Sequence, residues 1–94
     1  MTKQEFIDWA LSKGWTLDKF GHLQKTVTTD PVTMITKTYR FKLSSTHVRS
    51  EIRNRETQSW VRLWGRYFYE LAVLPNGKLG LKKEKQDTYG KDGL

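Results

Sequence analysis

The chain has no cysteine and only two histidines, His22 and His47, which limits the chemistry available to its 94 residues. Without cysteine there are no disulfides, no thiolate nucleophiles and no cysteine-based zinc sites, so packing alone must stabilise the fold. Ser44 and Ser45 lie near His47 in sequence, as a nucleophile and its base could. Serines at a strand break, however, usually form hydrogen bonds with the local backbone. We therefore predict no metal, no cofactor and no catalytic residue, and we classify the protein as a non-enzyme.

Long apolar runs are also missing. No segment approaches the roughly 20 apolar residues that cross a bilayer, and the N-terminus has no signal-peptide core. We expect a cytoplasmic protein without membrane contacts. A chain of this length suits one core, and burying only about 60 to 65% of the unfolded surface leaves little apolar material for a deep pocket. We predict one domain over residues 1–81 and a flexible charged tail over 82–94.

The N-terminal segment has the pattern of a capped amphipathic helix. Thr2 and Glu5 have capping-box spacing, which starts a helix at residue 3. Gly14 can supply a left-handed stop after Lys13. The apolar residues that share one side of this helix are Phe6, Ile7, Ala10 and Leu11. Trp9, at the edge of this stripe, is expected to widen the helix surface that packs on a sheet.

From Gly21 onward the apolar residues recur with a period of two, which predicts strands. Asp30-Pro31 is a turn signal between two such runs, and residues 44–46 form a second break. Residues 60–74 fit two patterns. A helix would place Trp60, Leu63, Trp64, Tyr67, Phe68 and Leu71 on one side. Aromatic enrichment, Gly65 and the Pro75-Asn76-Gly77 turn favour a strand followed by a hairpin.

Together these segments predict an α+β fold in which one N-terminal helix packs on an antiparallel meander of four or more strands. The residues that we expect in its core are Phe6, Leu11, Phe41, Leu63, Tyr67 and Leu71.

Two resemblances bear on function. The run Trp60-Val61-Arg62-Leu63, with Tyr67-Phe68-Tyr69, Leu71 and residues 77–81, resembles small uncharacterised proteins of phages and prophages of Gram-positive bacteria. That resemblance implies an accessory protein of a mobile element. The first helix with Gly14-Trp15 and Gly21-His22 is similar to the front half of HicA-type RNA-cleaving toxins. In that family a histidine of the first strands is catalytic, which would be His22, but the basic hairpin departs from the family's closing helix.

The strongest functional signal is the clustering of positive charge. The chain carries +7 overall, and all six arginines lie within residues 40–66. With two lysines and two glutamates, residues 37–66 have a net charge of +6. If residues 60–68 form one strand, tryptophan and arginine alternate on one face about 7 Å apart, and this face can stack bases and bind phosphates. The predicted nucleic-acid-binding residues are Arg40, Lys42, Arg49, Arg53, Arg62, Trp64 and Arg66.

Two other interpretations of the aromatic residues stay open. Trp60, Trp64 and Phe68 can instead be core residues under the first helix, with arginine stems over their edges. They can also form an interface with a protein partner or with a second copy, because one short helix cannot cover both sides of a sheet. A nucleic-acid-binding module predicts that the basic residues share one face. An interaction protein predicts an exposed apolar patch with a basic rim.

Overall fold

The structure, a computed structural model, describes residues 1–82. The N-terminal helix α1 spans Lys3–Ser12. Its capping box is complete, because Thr2 Oγ1 accepts from the Glu5 amide and Glu5 Oε1 accepts from the Thr2 amide. Gly14, at φ +91°, follows its C-terminus. The predicted helix is confirmed. The predicted tail lies, from residue 83 on, outside the described residues.

Five strands form one antiparallel sheet in which each strand pairs with the next along the chain. The strands are β1 (Thr16–Leu17), β2 (Leu23–Asp30), β3 (Ile35–Leu43), β4 (His47–Arg53) and β5 (Trp60–Tyr67). The α+β class and the meander are therefore confirmed, and so is the strand interpretation of residues 60–67.

After β5 the chain turns into a short 3-10 helix over Phe68–Glu70 and then a two-stranded hairpin of β6 (Leu71–Val73) and β7 (Leu79–Leu81). The predicted turn between these strands is confirmed, with Gly77 at φ +84°. A single strand from Trp60 to Leu74 is wrong, because the 3-10 helix interrupts it. This break turns the hairpin away from β5 and lets it contact α1, where Trp9 Nε1 donates to the Gly77 carbonyl at 3.0 Å.

The core lies between α1, one face of the five-stranded sheet and the β6–β7 hairpin. Its centre is Phe6, whose ring lies 4.9 Å from Phe41 and 5.7 Å from Phe68. The buried residues of the core are Phe6, Ala10, Leu23, Phe41, Leu43, Val48, Phe68, Leu71 and Leu79. Of the predicted core residues, Phe6, Phe41 and Leu71 are confirmed.

Leu11, Leu63 and Tyr67 are wrongly assigned to the core, since they are 45%, 51% and 49% exposed. The helix packs through Phe6 and Ala10 and turns Trp9 rather than Leu11 toward its neighbours. Leu63 lies at a bulge, and Tyr67 lies on the face opposite the core. Both errors in β5 come from assuming an uninterrupted two-residue alternation.

Candidate nucleic-acid interface

The register of β3, β4 and β5 brings basic side chains together on the sheet face opposite α1, called here the open face. Arg40 pairs with Glu51, which pairs with Arg62. Lys42 pairs with Arg49 two residues further along the same strands. Partners in register share a face, and Phe41 points to the helix, so its neighbours in sequence point away. Five of the predicted binding residues lie on the open face: Arg40, Lys42, Arg49, Arg53 and Arg62.

A bulge divides the tryptophans of β5 between the two faces. Ser50 pairs with Trp64 and Glu51 pairs with Arg62, so Leu63 has no partner in β4. Trp64 therefore lies on the covered face, 5.9 Å from the Phe41 ring. The prediction of one continuous tryptophan–arginine face is wrong, because a bulge of one residue shifts all later side chains to the other side. Phe68 is a buried core residue and Trp64 packs against the core, as the alternative interpretation of these rings as core residues predicts.

Arg40 is engaged within the protein. Its Nε and Nη2 donate to Glu51 Oε1 at 2.9 and 2.6 Å. The same guanidinium lies 4.2 Å from the centre of the Trp60 ring, and Arg53 covers that ring at 5.8 Å. Within residues 1–82 the Arg40–Glu51 contact is the only ion pair. The structure thus gives Arg40 and Trp60 intramolecular partners.

A concave site lies beside this cluster, at the far end of β5. It is a cavity of about 360 Å³, called here the Gly65 cavity. Gly65 pairs in register with Arg49. The Arg62 guanidinium lies across Gly65, and Arg66 Nη1 donates to the Gly65 carbonyl at 2.8 Å. Three arginines therefore line one cavity around Gly65. The lining residues are His47, Arg49, Arg62, Gly65, Arg66, Tyr67 and Glu70.

The charge of the Gly65 cavity is unbalanced. Glu70 is the only acidic residue in its lining, and Glu70 Oε2 accepts from the Tyr67 amide at 3.2 Å. Arg49, Arg62 and Arg66 have no carboxylate partner in the part of the chain that the structure describes. Guanidinium groups present several donors in a planar fork that matches phosphate and carboxylate oxygens. The cavity is suited to an anion.

Two exposed tyrosines stand at the same end of the sheet. The rings of Tyr67 and Tyr69 are stacked, with centres 5.3 Å apart and planes at 19°. His47 meets Tyr67 edge to face at 5.8 Å. An exposed aromatic ring can stack an unpaired base. The sequence prediction misses this pair because it places Tyr67 in the core, although the Tyr-x-Tyr spacing is visible in the sequence.

A smaller cavity of about 90 Å³ adjoins the first one at His47 and Arg49 and brings in Lys42. Ser44 borders it, and Ser44 Oγ lies 2.8 Å from His47 Nδ1. The same hydroxyl accepts from the His47 amide at 3.1 Å, so it stabilises the turn between β3 and β4. The expectation that this serine bonds the local backbone is confirmed. The positive surface thus continues from Arg62 to Lys42.

His22, which the toxin resemblance singles out, lines neither of these two cavities. Its Nδ1 accepts from the Leu43 amide at 3.0 Å, which links β3 to the chain before β2. Among residues 1–82, no group of three or more histidine, aspartate or glutamate side chains is arranged to hold a metal ion. No helix of that same stretch is long and apolar enough to cross a membrane.

Comparison with protein-family models, with curated proteins and with solved structures finds no match for this chain.

Proposed function

We propose that this protein binds single-stranded nucleic acid on its open face, with phosphates at the Gly65 cavity and a base on the Tyr67–Tyr69 stack. The observation that carries the proposal is the convergence of Arg49, Arg62 and Arg66 without a carboxylate partner in residues 1–82. Phosphate contacts supply most of the affinity of such proteins, and their release of counterions makes binding depend on salt.

The stacked tyrosines favour a nucleic acid over an acidic protein, and a single strand over a duplex. The bases of a duplex are stacked on each other and cannot reach an exposed ring, whereas unpaired bases can. One base on one aromatic ring contributes about 1 to 3 kcal/mol to binding. Lys42 extends the positive surface beyond the cavity, which suits a chain of successive phosphates.

Binding of labelled single-stranded and duplex DNA and RNA at several salt concentrations tests this function. We expect Arg49→Ala and Arg62→Ala to weaken binding to every sequence, and each to reduce the slope of log K against log salt by about 1. Arg55→Ala is the matched control, because Arg55 is an exposed arginine of the β4–β5 loop that does not line the cavity. It should keep the slope.

Tyr69→Ala should separate the two contributions. It removes an exposed ring and no charge, so we expect weaker binding to single strands with the salt slope unchanged. The absence of binding to any of the four nucleic acids at low salt would contradict the proposal.

A second candidate is a protein-interaction or homodimeric accessory protein of a phage or mobile element, without catalysis and in the cytoplasm. The observation in its favour is the tip of the β2–β3 hairpin, where Val32 and Met34 are exposed. Neighbouring exposed apolar side chains that form a contiguous patch can mark a contact with another chain. The phage origin stays a prediction from the sequence resemblance.

A further inference from the structure

Gly65 has a local role that its backbone does not explain. It lies inside β5, and its φ is not among the positive values of residues 1–82, which occur at Gly14, Gly21, Gly77, Met34 and Gln58. A Cβ at this position would lie 2.7 Å from Arg62 Nη2. A glycine within a strand commonly marks a close approach of another group. Here the absence of a side chain leaves room for the Arg62 guanidinium, which a Cβ at residue 65 would displace.

The arginines around Gly65 have donors to spare. A guanidinium carries five N–H groups. Arg66 directs one to the Gly65 carbonyl, while Arg49 and Arg62 have no hydrogen-bond partner for theirs within residues 1–82. Like charges that line one cavity repel each other, and a bound anion offsets this repulsion. The cavity is thus arranged for more than one negative charge.

We infer that the Gly65 cavity binds a terminal phosphate of a nucleic-acid strand, an inference that rests on the proposed function. A phosphate monoester carries about −1.5 to −2 charge at pH 7 and offers three strong acceptor oxygens. An internal phosphodiester carries one charge and two free oxygens, and its strand must leave on both sides. Three arginines against one glutamate, Glu70, in the lining leave more positive charge than a single phosphodiester balances, and this excess matches the monoester better.

Tyr67 lines the same cavity and is stacked on the exposed Tyr69, so the nucleotide that carries the terminal phosphate lies beside an aromatic pair. The phosphate can belong to either end of the strand, since both ends give the same monoester. The cavity volume of about 360 Å³ lies within the range of small-ligand pockets, about 300 to 1,000 Å³, so a terminal nucleotide fits the site in size.

The test compares one single strand of about ten nucleotides, within the usual footprint of such proteins, in three forms that carry a 5′-phosphate, a 3′-phosphate or hydroxyls at both ends. We expect one phosphorylated form to bind about tenfold more tightly than the hydroxyl form. Arg62→Ala should abolish this preference, and Gly65→Ala should reduce it by displacing the Arg62 guanidinium while keeping its charge. Arg55→Ala should retain it.

Each outcome bears on a different claim. Equal, salt-dependent binding of the three forms overturns the terminal-phosphate inference and leaves the proposed function standing. No binding of any form overturns both. Full preference in Arg62→Ala also overturns the inference, and this variant changes an exposed side chain, so it does not depend on whether Gly65→Ala folds. A thermal melt of each variant confirms that the fold is kept.

Discussion

Replacing Glu51 by glutamine removes the only carboxylate that pairs with an arginine among residues 1–82, and it keeps the shape of the side chain. This substitution tests whether the Arg40 side chain stabilises the fold through its ion pair. Both Arg40 donors reach the same oxygen of Glu51, and the side chains are 18% and 8% exposed. Glu51→Gln leaves the Arg40 charge half-enclosed against Trp60 without its counter-charge.

The expected loss of stability follows from this burial. Removing one partner of a buried ion pair costs about 3 to 5 kcal/mol, whereas exposed pairs contribute about 0 to 1 kcal/mol. Because Arg40 is partly exposed, we expect the free energy of unfolding to fall by about 2 to 4 kcal/mol in Glu51→Gln. At about 4 to 8 °C per kcal/mol for a domain of this size, the melting temperature falls by about 8 to 30 °C.

A double-mutant cycle measures the pair itself. Thermal and urea unfolding of Arg40→Gln, Glu51→Gln and the double variant should give a coupling energy of about 1.5 to 3 kcal/mol. Arg40→Gln should also leave the salt slope of nucleic-acid binding unchanged, since its guanidinium already has a partner. A coupling energy below about 0.5 kcal/mol, or a salt slope reduced by about 1, would refute the structural role of Arg40.

Two further predictions concern stability. Leu71→Ala should lower the free energy of unfolding by about 2.7 to 5 kcal/mol because Leu71 is fully buried. The control Leu63→Ala changes an exposed leucine and should lower it by about 1 kcal/mol. Equal losses of stability in thermal melts of the two variants would mean that β6 does not pack on the core. Burial raises the pKa of Asp18, but amides of His22 and Phe20 donate to its carboxylate and hold the pKa below the ordinary value of 3.8. The resulting stability is present above about pH 4 and is lost as the pH falls through the folded-state pKa, so Asp18→Asn should lose less stability in acid titrations than the unmodified protein.

The fold class could be predicted because its signals are local. The capping box at Thr2 and Glu5, the change of period after Gly21 and the turn before Gly77 each depend on neighbouring residues. In residues 60–67 local signals determine the strand state but not the orientation of the side chains. Their strand state follows from composition, but which face each side chain occupies depends on pairing with β4, and the sequence of β5 alone contains no sign of the bulge at Leu63.

The candidate site could likewise be predicted only in part from the sequence. The charge cluster can be read from composition, but it does not tell the arginines of the open face from Arg66, which pairs with the buried Val48. The grouping around Gly65 depends on the register pairing with Arg49 and on contacts of the Arg62 and Arg66 side chains, and no spacing rule predicts these. The exposure of Tyr67 could not be predicted for a similar reason. Its alternation with Leu63 and Leu71 predicts a core position unless the break at Phe68 is known.

The bulge at Leu63 is also what creates the site. Without it, strict alternation would place Arg62, Trp64 and Arg66 on one face and would expose the Trp64 ring. The extra residue keeps Trp64 on the core side while Arg62 stays on the open side, next to Gly65. Arg66 then alternates toward the covered face, and it reaches the Gly65 cavity only by turning back to the Gly65 carbonyl at 2.8 Å. One unpaired residue thus lets the same strand supply a core ring and two arginines of a cationic cavity.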